Sequence, residues 1–167
     1  MAEEIERKFL VSSDRWKHGV TSSKLLRQGY LSSNAKATVR VRTRDDSEAM
    51  VTIKGAARGM SRAEYEYSVP IEDAREMLAM AEPHVLQKRR HIVPFAGLTW
   101  EVDVFEGRHA GLVIAEVELE HEAQHVDLPD WVGAEVTHDD RYFNASLSRA
   151  SAPPQPTHRG GVDPDAA

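Results

Sequence analysis

A pattern that recurs at every second position cannot sit on one face of a helix. Alternate residues share a face only in extended strands, whereas helical faces recur every three to four residues. This chain shows the two-residue pattern repeatedly, and the recurring residues are charged. Glu4, Glu6 and Lys8 fall on one face, as do Arg40, Arg42 and Arg44 opposite Val39 and Val41. Arg62, Glu64 and Glu66 line up, as do Lys88 with Arg90 and Glu101 with Asp103. Lys54 ends a segment in phase with Met50 and Thr52, and Glu116, Glu118 and Glu120 lie opposite Ala115, Val117 and Leu119.

These phases, with turn residues between them, predict strands over Glu3–Val11, Lys24–Leu31, Thr38–Arg44, Ala49–Lys54, Arg62–Val69, Val85–Pro94, Leu98–Glu106 and Leu112–Glu120. Asp45-Asp46-Ser47, Gly55 to Gly59, Phe95-Ala96-Gly97 and Gly107 to Gly111 supply the turn chemistry. Ile71–Ala81 instead carries apolar residues at helical spacing behind Pro70, and Asp139 or Asp140 caps a last helix through Tyr142 and Leu147. Eight short strands and few helices give a β-rich α+β barrel or sandwich. One domain is expected over residues 1–150. The segment 151–167, with Pro153, Pro154, Pro156, Gly160, Gly161 and Pro164, cannot support a core and is expected to be a disordered tail.

The 167 residues contain no cysteine, which excludes disulfides and thiolate chemistry. A net charge of −6 argues against a general nucleic-acid binder. The charge-dense start from Met1 to Lys8 lacks the apolar stretch of a signal peptide, and no run has the length of a membrane span. A soluble, cytoplasmic protein acting on neither nucleic acid nor membrane is the expectation.

Two arrangements satisfy the alternation. An antiparallel sheet with one wet face alternates apolar and polar residues as a matter of course. Yet these positions are mostly Glu, Asp, Arg and Lys, and like charges come two or three in phase, which costs energy unless opposite charges lie near. A sheet closed on itself would bring acidic and basic strands face to face, and about eight strands enclose room for one small ligand. Such an interior offers carboxylates to hard divalent cations and guanidinium and ammonium groups to phosphate oxygens. A metal-bound polyphosphate asks for both.

At these residues the chain resembles the triphosphate tunnel metalloenzymes, the CYTH superfamily. The family's Glu-x-Glu-x-Lys signature stands as Glu4-Ile5-Glu6-Arg7-Lys8. The likeness continues through RQGYLS (27–32), VRVR (39–42), TIKG (52–55), SRAEYEY (61–67), KRR (88–90), WEVDVFEG (100–107), AEVELE (115–120) and EVTHDDRYFN (135–144), nearly everything before the tail. The resemblance implies a closed eight-stranded antiparallel β-barrel, a tunnel, with a few helices packed outside. It implies that Glu4, Glu6, Glu116 and Glu118 hold Mg²⁺ or Mn²⁺, and that Lys8, Arg40, Arg42, Lys54, Lys88 and Arg90 grip the triphosphate. Glu64 and Glu66 join Glu4, Glu6 and Lys8 as catalytic candidates. Arg44, Arg62, Glu101, Asp103, Asp139 and Arg141 are further lining candidates.

The implied activity is metal-dependent hydrolysis of a small-molecule triphosphate, with inorganic tripolyphosphate giving pyrophosphate and phosphate first among the choices, by a monomer or homodimer. Phosphoryl transfer asks mainly for positioning and charge neutralisation, which this residue set supplies. A class IV-type adenylate cyclase, a nucleoside or thiamine triphosphatase and a non-catalytic polyphosphate-binding module are the alternatives. His121-Glu122-Ala123-Gln124-His125 also matches the H-E-x-x-H zinc motif. That chemistry needs a helix, whereas this segment follows a strand and meets Pro129, so a solvated loop is expected. Trp16, Trp100 and Trp131 do not interleave with basic residues and are expected to pack.

Overall fold

The structure is a computed structural model, and it describes residues 3–81 and 83–155. Nine strands are present: β1 Glu3–Val11, β2 Ser22–Ser33, β3 Ala37–Arg44, β4 Glu48–Gly55, β5 Ser61–Val69, β6 Leu86–Phe95, β7 Leu98–Phe105, β8 Val113–Glu118 and β9 Val132–Glu135. They join in the order β5-β4-β3-β2-β6-β7-β8-β1-β9, every pair antiparallel, and β5 also pairs with β1. That last pairing, Glu3 to Ile5 against Ser61 to Ala63, closes eight strands into a barrel. β9 is the extra strand, laid along the later half of β1 with a register shift between Phe9 and Val11.

Closure decides between the two readings of the alternation. The charged phase of each strand turns inward, and the apolar phase turns outward to be covered. Phe9, Val93, Trp100, Val102, Ala115 and Val117 pack outside the barrel wall with Trp16, Val126 and Trp131. Trp100 is fully buried, 5.6 Å from both Phe9 and Trp131 between ring centroids. The outer face of β3 and β4 is covered by α1 (Ile71–Ala79), whose Ala74 and Leu78 join Val41 and Ala49 while Glu72, Asp73 and Glu76 stay wet. α1 sits close because β2 offers a glycine beneath its end: a Cβ on Gly29 would stand 2.3 Å from that of Ala81.

The interior is not charged along its whole length. Leu10, Leu86, Phe105 and Ile114 continue the inward phase toward one end, where Tyr142 and Leu147 pack on them. Tyr142 belongs to a 3-10 turn, Asp140–Tyr142, and Leu147 to α2, Asn144–Arg149. The expected last helix is thus split by Phe143, and it seats against the barrel end, whereas α1 packs outside as expected. Two further features differ from expectation. Arg15–Gly19 forms a 3-10 turn that buries Trp16, and β8 stops at Glu118, leaving Glu120 exposed in a turn.

Among the described residues no helix is long and apolar enough to cross a membrane. Of the expected tail, 151–155 has no regular secondary structure, and Arg141 Nη1 donates to the Gln155 carbonyl at 2.9 Å. The remainder of that expectation, 156–167, lies outside the described residues.

Candidate functional site

Fourteen of the charged candidates meet inside the barrel because cross-strand register keeps their phases aligned. Glu6 stands opposite Glu118 and Lys8 opposite Glu116. Glu101 faces Glu116, Arg90 faces Asp103, and Lys54 faces Glu64. A cavity of about 230 Å³ is lined by Glu4, Glu6, Arg40, Arg42, Arg44, Lys54, Glu64, Glu66, Arg90, Glu101, Glu116, Glu118 and Asn144. It shares Glu4, Glu6, Arg40, Lys54 and Asn144 with a 510 Å³ cavity at one mouth. It shares Arg40, Arg42, Arg44 and Glu66 with a 470 Å³ cavity at the other. The charged interior is therefore reachable from both ends of β3 and β4.

Most of the bases are already engaged by acids. Lys54 Nζ lies 2.6 Å from Glu4 and 3.3 Å from Glu64. Arg90 grips Asp103 through two bonds of 2.8 Å and reaches Glu101 at 2.6 Å and Glu116 at 3.6 Å. Lys88, with no exposed surface, sits 2.6 Å from Asp103 and donates to Asn144 Oδ1 at 3.0 Å. Lys8 lies 3.6 Å from Glu116 and donates to the Tyr142 carbonyl at 3.2 Å.

Arg40 and Arg42 differ. Arg40 donates to Thr52 Oγ1 at 3.2 Å and Arg42 Nε donates to Gln28 Oε1 at 2.9 Å, both neutral partners. Neither guanidinium forms an ion pair among the described residues. On the acidic side, Glu6, Glu66 and Glu118 likewise lack an ion-pair partner among the described residues.

The titration behaviour follows from this map. Burial, then the nearby Glu116 and Glu4, pushes the Glu6 carboxyl up to about 8. Burial also acts on Asp103, but Arg90 and Lys88 overcome it and hold that carboxyl well below the usual range. Glu116 is likewise buried, and Lys8 and Arg90 bring it down to about 2. Burial pushes the Lys88 ammonium down to about 8 against the pull of Asp103. Arg42 is pushed down to about 9 by burial and then by Arg40 and Arg90, a guanidinium still protonated at neutral pH.

Four lining candidates sit elsewhere or are otherwise employed. Arg44 stands at the second mouth, 3.8 Å from Glu48. Arg62, at the first mouth, gives Nε and Nη2 to the Gly55 carbonyl at 3.1 and 2.9 Å, tying the turn between β4 and β5. Asp139 and Arg141 are a correction to the lining set. They pair with each other at 2.7 Å on the surface, because Asp139 accepts the Arg141 backbone N–H and is used to cap its own 3-10 turn. Asp140 and Asn144 face the first mouth instead.

The neutral residues Gln28, Thr52 and Asn144 join the charged interior, and the charge pattern of the sequence does not mark them as partners of its bases. The His121–His125 segment forms bends and turns. Glu122 accepts from Ser61 at 3.0 Å and His125 contacts Asp127 at 2.8 Å.

The donor set suits a hard cation in chemistry. Glu6 and Glu118 are cross-strand partners without an ion-paired base among the described residues, and the Glu6 carboxyl is raised first by burial and then by Glu116 and Glu4, a repulsion that a divalent cation would relieve. Glu4 and Glu116 are engaged by Lys54 and by Lys8 with Arg90. Among the described residues no three acidic or histidine side chains form a closed metal cage, so ligation by all four carboxylates requires these ion pairs to loosen.

Known proteins resemble this chain in sequence and fold. The CYTH domain family model matches residues 2–150. An inorganic triphosphatase of Acetivibrio thermocellus is 46% identical over 148 residues, 88% of this chain and 94% of that protein. One from Nitrosomonas europaea is 36% identical over 149 residues, covering 87% and 96%. The crystal structure of an inorganic triphosphatase superposes with a TM-score of 0.65 at 33% identity, covering 90% of this chain and 97% of the other.

Proposed function

The chain belongs to the CYTH domain family, and on that premise we propose that it is a metal-dependent triphosphatase converting inorganic tripolyphosphate to pyrophosphate and phosphate. The observation that carries the reading is the split of charge inside one closed barrel. Among the described residues, two arginines without ion-paired acids, buried Arg40 and half-buried Arg42, lie on β3, and two carboxylates without ion-paired bases, Glu6 and Glu118, lie on β1 and β8. An anionic chain and its cations satisfy both. That similar proteins covering nearly the same length are inorganic triphosphatases supports the same activity.

Arg40 and Arg42 would bind the phosphate chain through guanidinium forks that no carboxylate among the described residues pairs. Lys8, Lys54, Lys88 and Arg90 would add contacts as the substrate competes with Glu116, Glu4, Asp103 and Glu101 for them. Glu4, Glu6, Glu116 and Glu118 would hold Mg²⁺ or Mn²⁺. When bound, the metal supplies charge neutralisation on phosphate oxygens and acidifies water. Glu64 and Glu66 line the same cavity and would orient water or accept a proton. Asn144 and the Tyr142 carbonyl keep Lys88 and Lys8 aimed inward. The enzyme would act on free small molecules in the cytoplasm, on neither nucleic acid nor membrane, as monomer or homodimer.

The test is to offer tripolyphosphate, ATP and thiamine triphosphate separately with Mg²⁺ or Mn²⁺ and identify every product. Orthophosphate plus pyrophosphate from tripolyphosphate, at higher kcat/KM than phosphate from ATP, is expected. Cyclic AMP with pyrophosphate from ATP would move the protein to the cyclase branch, and binding without turnover would leave a sensor.

A further inference from the structure

Gln28 on β2 has no exposed surface and stands in register with Arg42 on β3 and Leu86 on β6. Its Oε1 accepts from Arg42 Nε at 2.9 Å, while its Nε2 has no hydrogen-bond partner among the described residues. A buried amide left half satisfied costs stability that an apolar side chain of similar size would recover. Something other than packing must explain it.

The explanation lies in how the interior bases are held. Lys8, Lys54, Lys88 and Arg90 are fixed by carboxylates, which also offset their charge. Arg42 is fixed by a neutral oxygen, and at Nε alone. That bond uses one edge of the guanidinium and leaves the terminal nitrogens for a ligand. A carboxylate in the same place would orient Arg42 equally well, but would offset its charge and compete with an incoming anion.

We propose that Gln28 is a positioning and specificity residue of the phosphate site, fixing the Arg42 fork through a neutral acceptor so that Arg42 meets a polyanion with its full charge. The inference rests on the triphosphatase reading above. It makes the amide itself the point: Gln, rather than Glu or an apolar residue, is what keeps β3 attractive to a phosphate chain. It also assigns the half-satisfied amide as a stability cost borne for function.

Three variants test it: Gln28→Met removes the acceptor at similar volume, Gln28→Glu keeps the acceptor and adds charge, and Gln28→Met is repeated in an Arg42→Lys background. Steady-state hydrolysis of tripolyphosphate and thermal unfolding are measured for each. Gln28→Met is expected to raise KM about tenfold, the scale of one charge-assisted bond, with kcat within about twofold and a melting temperature equal to or above that of the unaltered protein. Gln28→Glu is expected to melt higher still and to raise KM further. In the Arg42→Lys background the Met substitution should add little.

Unchanged KM in both single variants would overturn the assignment while leaving the triphosphatase reading intact. A lower melting temperature with reduced kcat and unchanged KM in Gln28→Met would reassign Gln28 to packing. Should the Met variant fail to fold, the isosteric Glu variant decides. Failure of the unaltered protein to release phosphate would sink the functional reading itself, and this inference with it.

Discussion

Replacing Glu6 by Gln should stabilise the metal-free protein and abolish its response to metal. Glu6 is inward on β1, opposite Glu118, and the crowding of Glu116 and Glu4 adds to burial in raising its carboxyl from 4.5 to about 8. An acid whose folded value lies above its unfolded value binds its proton more tightly in the native state. The contribution of Glu6 to stability is therefore greatest below about pH 4.5, falls as pH rises through the interval to about 8, and is flat beyond. The whole interval corresponds to roughly 5 kcal/mol at full ionisation. Because Glu4 and Glu116 share the repulsion, a single Gln substitution should recover roughly 2–4 kcal/mol at pH 8, an increase on the order of 5–10 °C for a domain of this size. Thermal unfolding in chelator from pH 5 to pH 8.5 measures it. The Gln variant should match the unaltered protein near pH 5 and exceed it increasingly toward pH 8. Saturating Mg²⁺ should then reverse the order, since only the carboxylate gains from the cation. Equal stability of the two proteins in chelator at every pH would refute the crowding argument.

Arg42→Ala and Arg40→Ala should each raise KM for tripolyphosphate by at least tenfold, the loss of a buried charge-assisted contact being worth about 2–5 kcal/mol. Arg42→Lys should rescue Arg42→Ala only in part, as steady-state kinetics would show. Ala96 sits at φ 48° ahead of Gly97 at φ 79° in the two-residue turn joining β6 to β7. Ala96→Asn should raise stability by about 0.5–1 kcal/mol in denaturant unfolding, because Asn tolerates the left-handed region that this hairpin requires.

The barrel wall was legible because its lining residues are charged and its strands alternate strictly. Val39 to Arg44 and Glu116 to Leu119 declare both faces at once. β2 hides its lining because its charges, Lys24 and Arg27, fall on opposite phases. Gln28 and Tyr30 face inward only by virtue of pairing with Arg42 and Arg40, and register between distant strands is not written in either strand alone. β9 is not legible in the sequence because its four residues, Val-Gly-Ala-Glu, carry no alternation, and their pairing depends on a register shift in β1. The motif around Asp139 and Arg141 points to the lining set. A carboxylate two residues before an arginine can satisfy it locally, and here it does. Asn144 acts through Lys88, 56 residues away in sequence, a contact that only barrel closure creates.

The central claim is that the triphosphate lies inside the barrel, against β3 and between the uncompensated arginines and carboxylates. A crystal of the Glu6→Gln variant grown with tripolyphosphate and Mg²⁺ tests it directly. The account predicts phosphate density within hydrogen-bond reach of Arg40 and Arg42 and on the side of the cavity away from Asp103. Density confined to the outer groove beside Arg7, Glu135 and Arg141, with the barrel interior empty of phosphate, would contradict it.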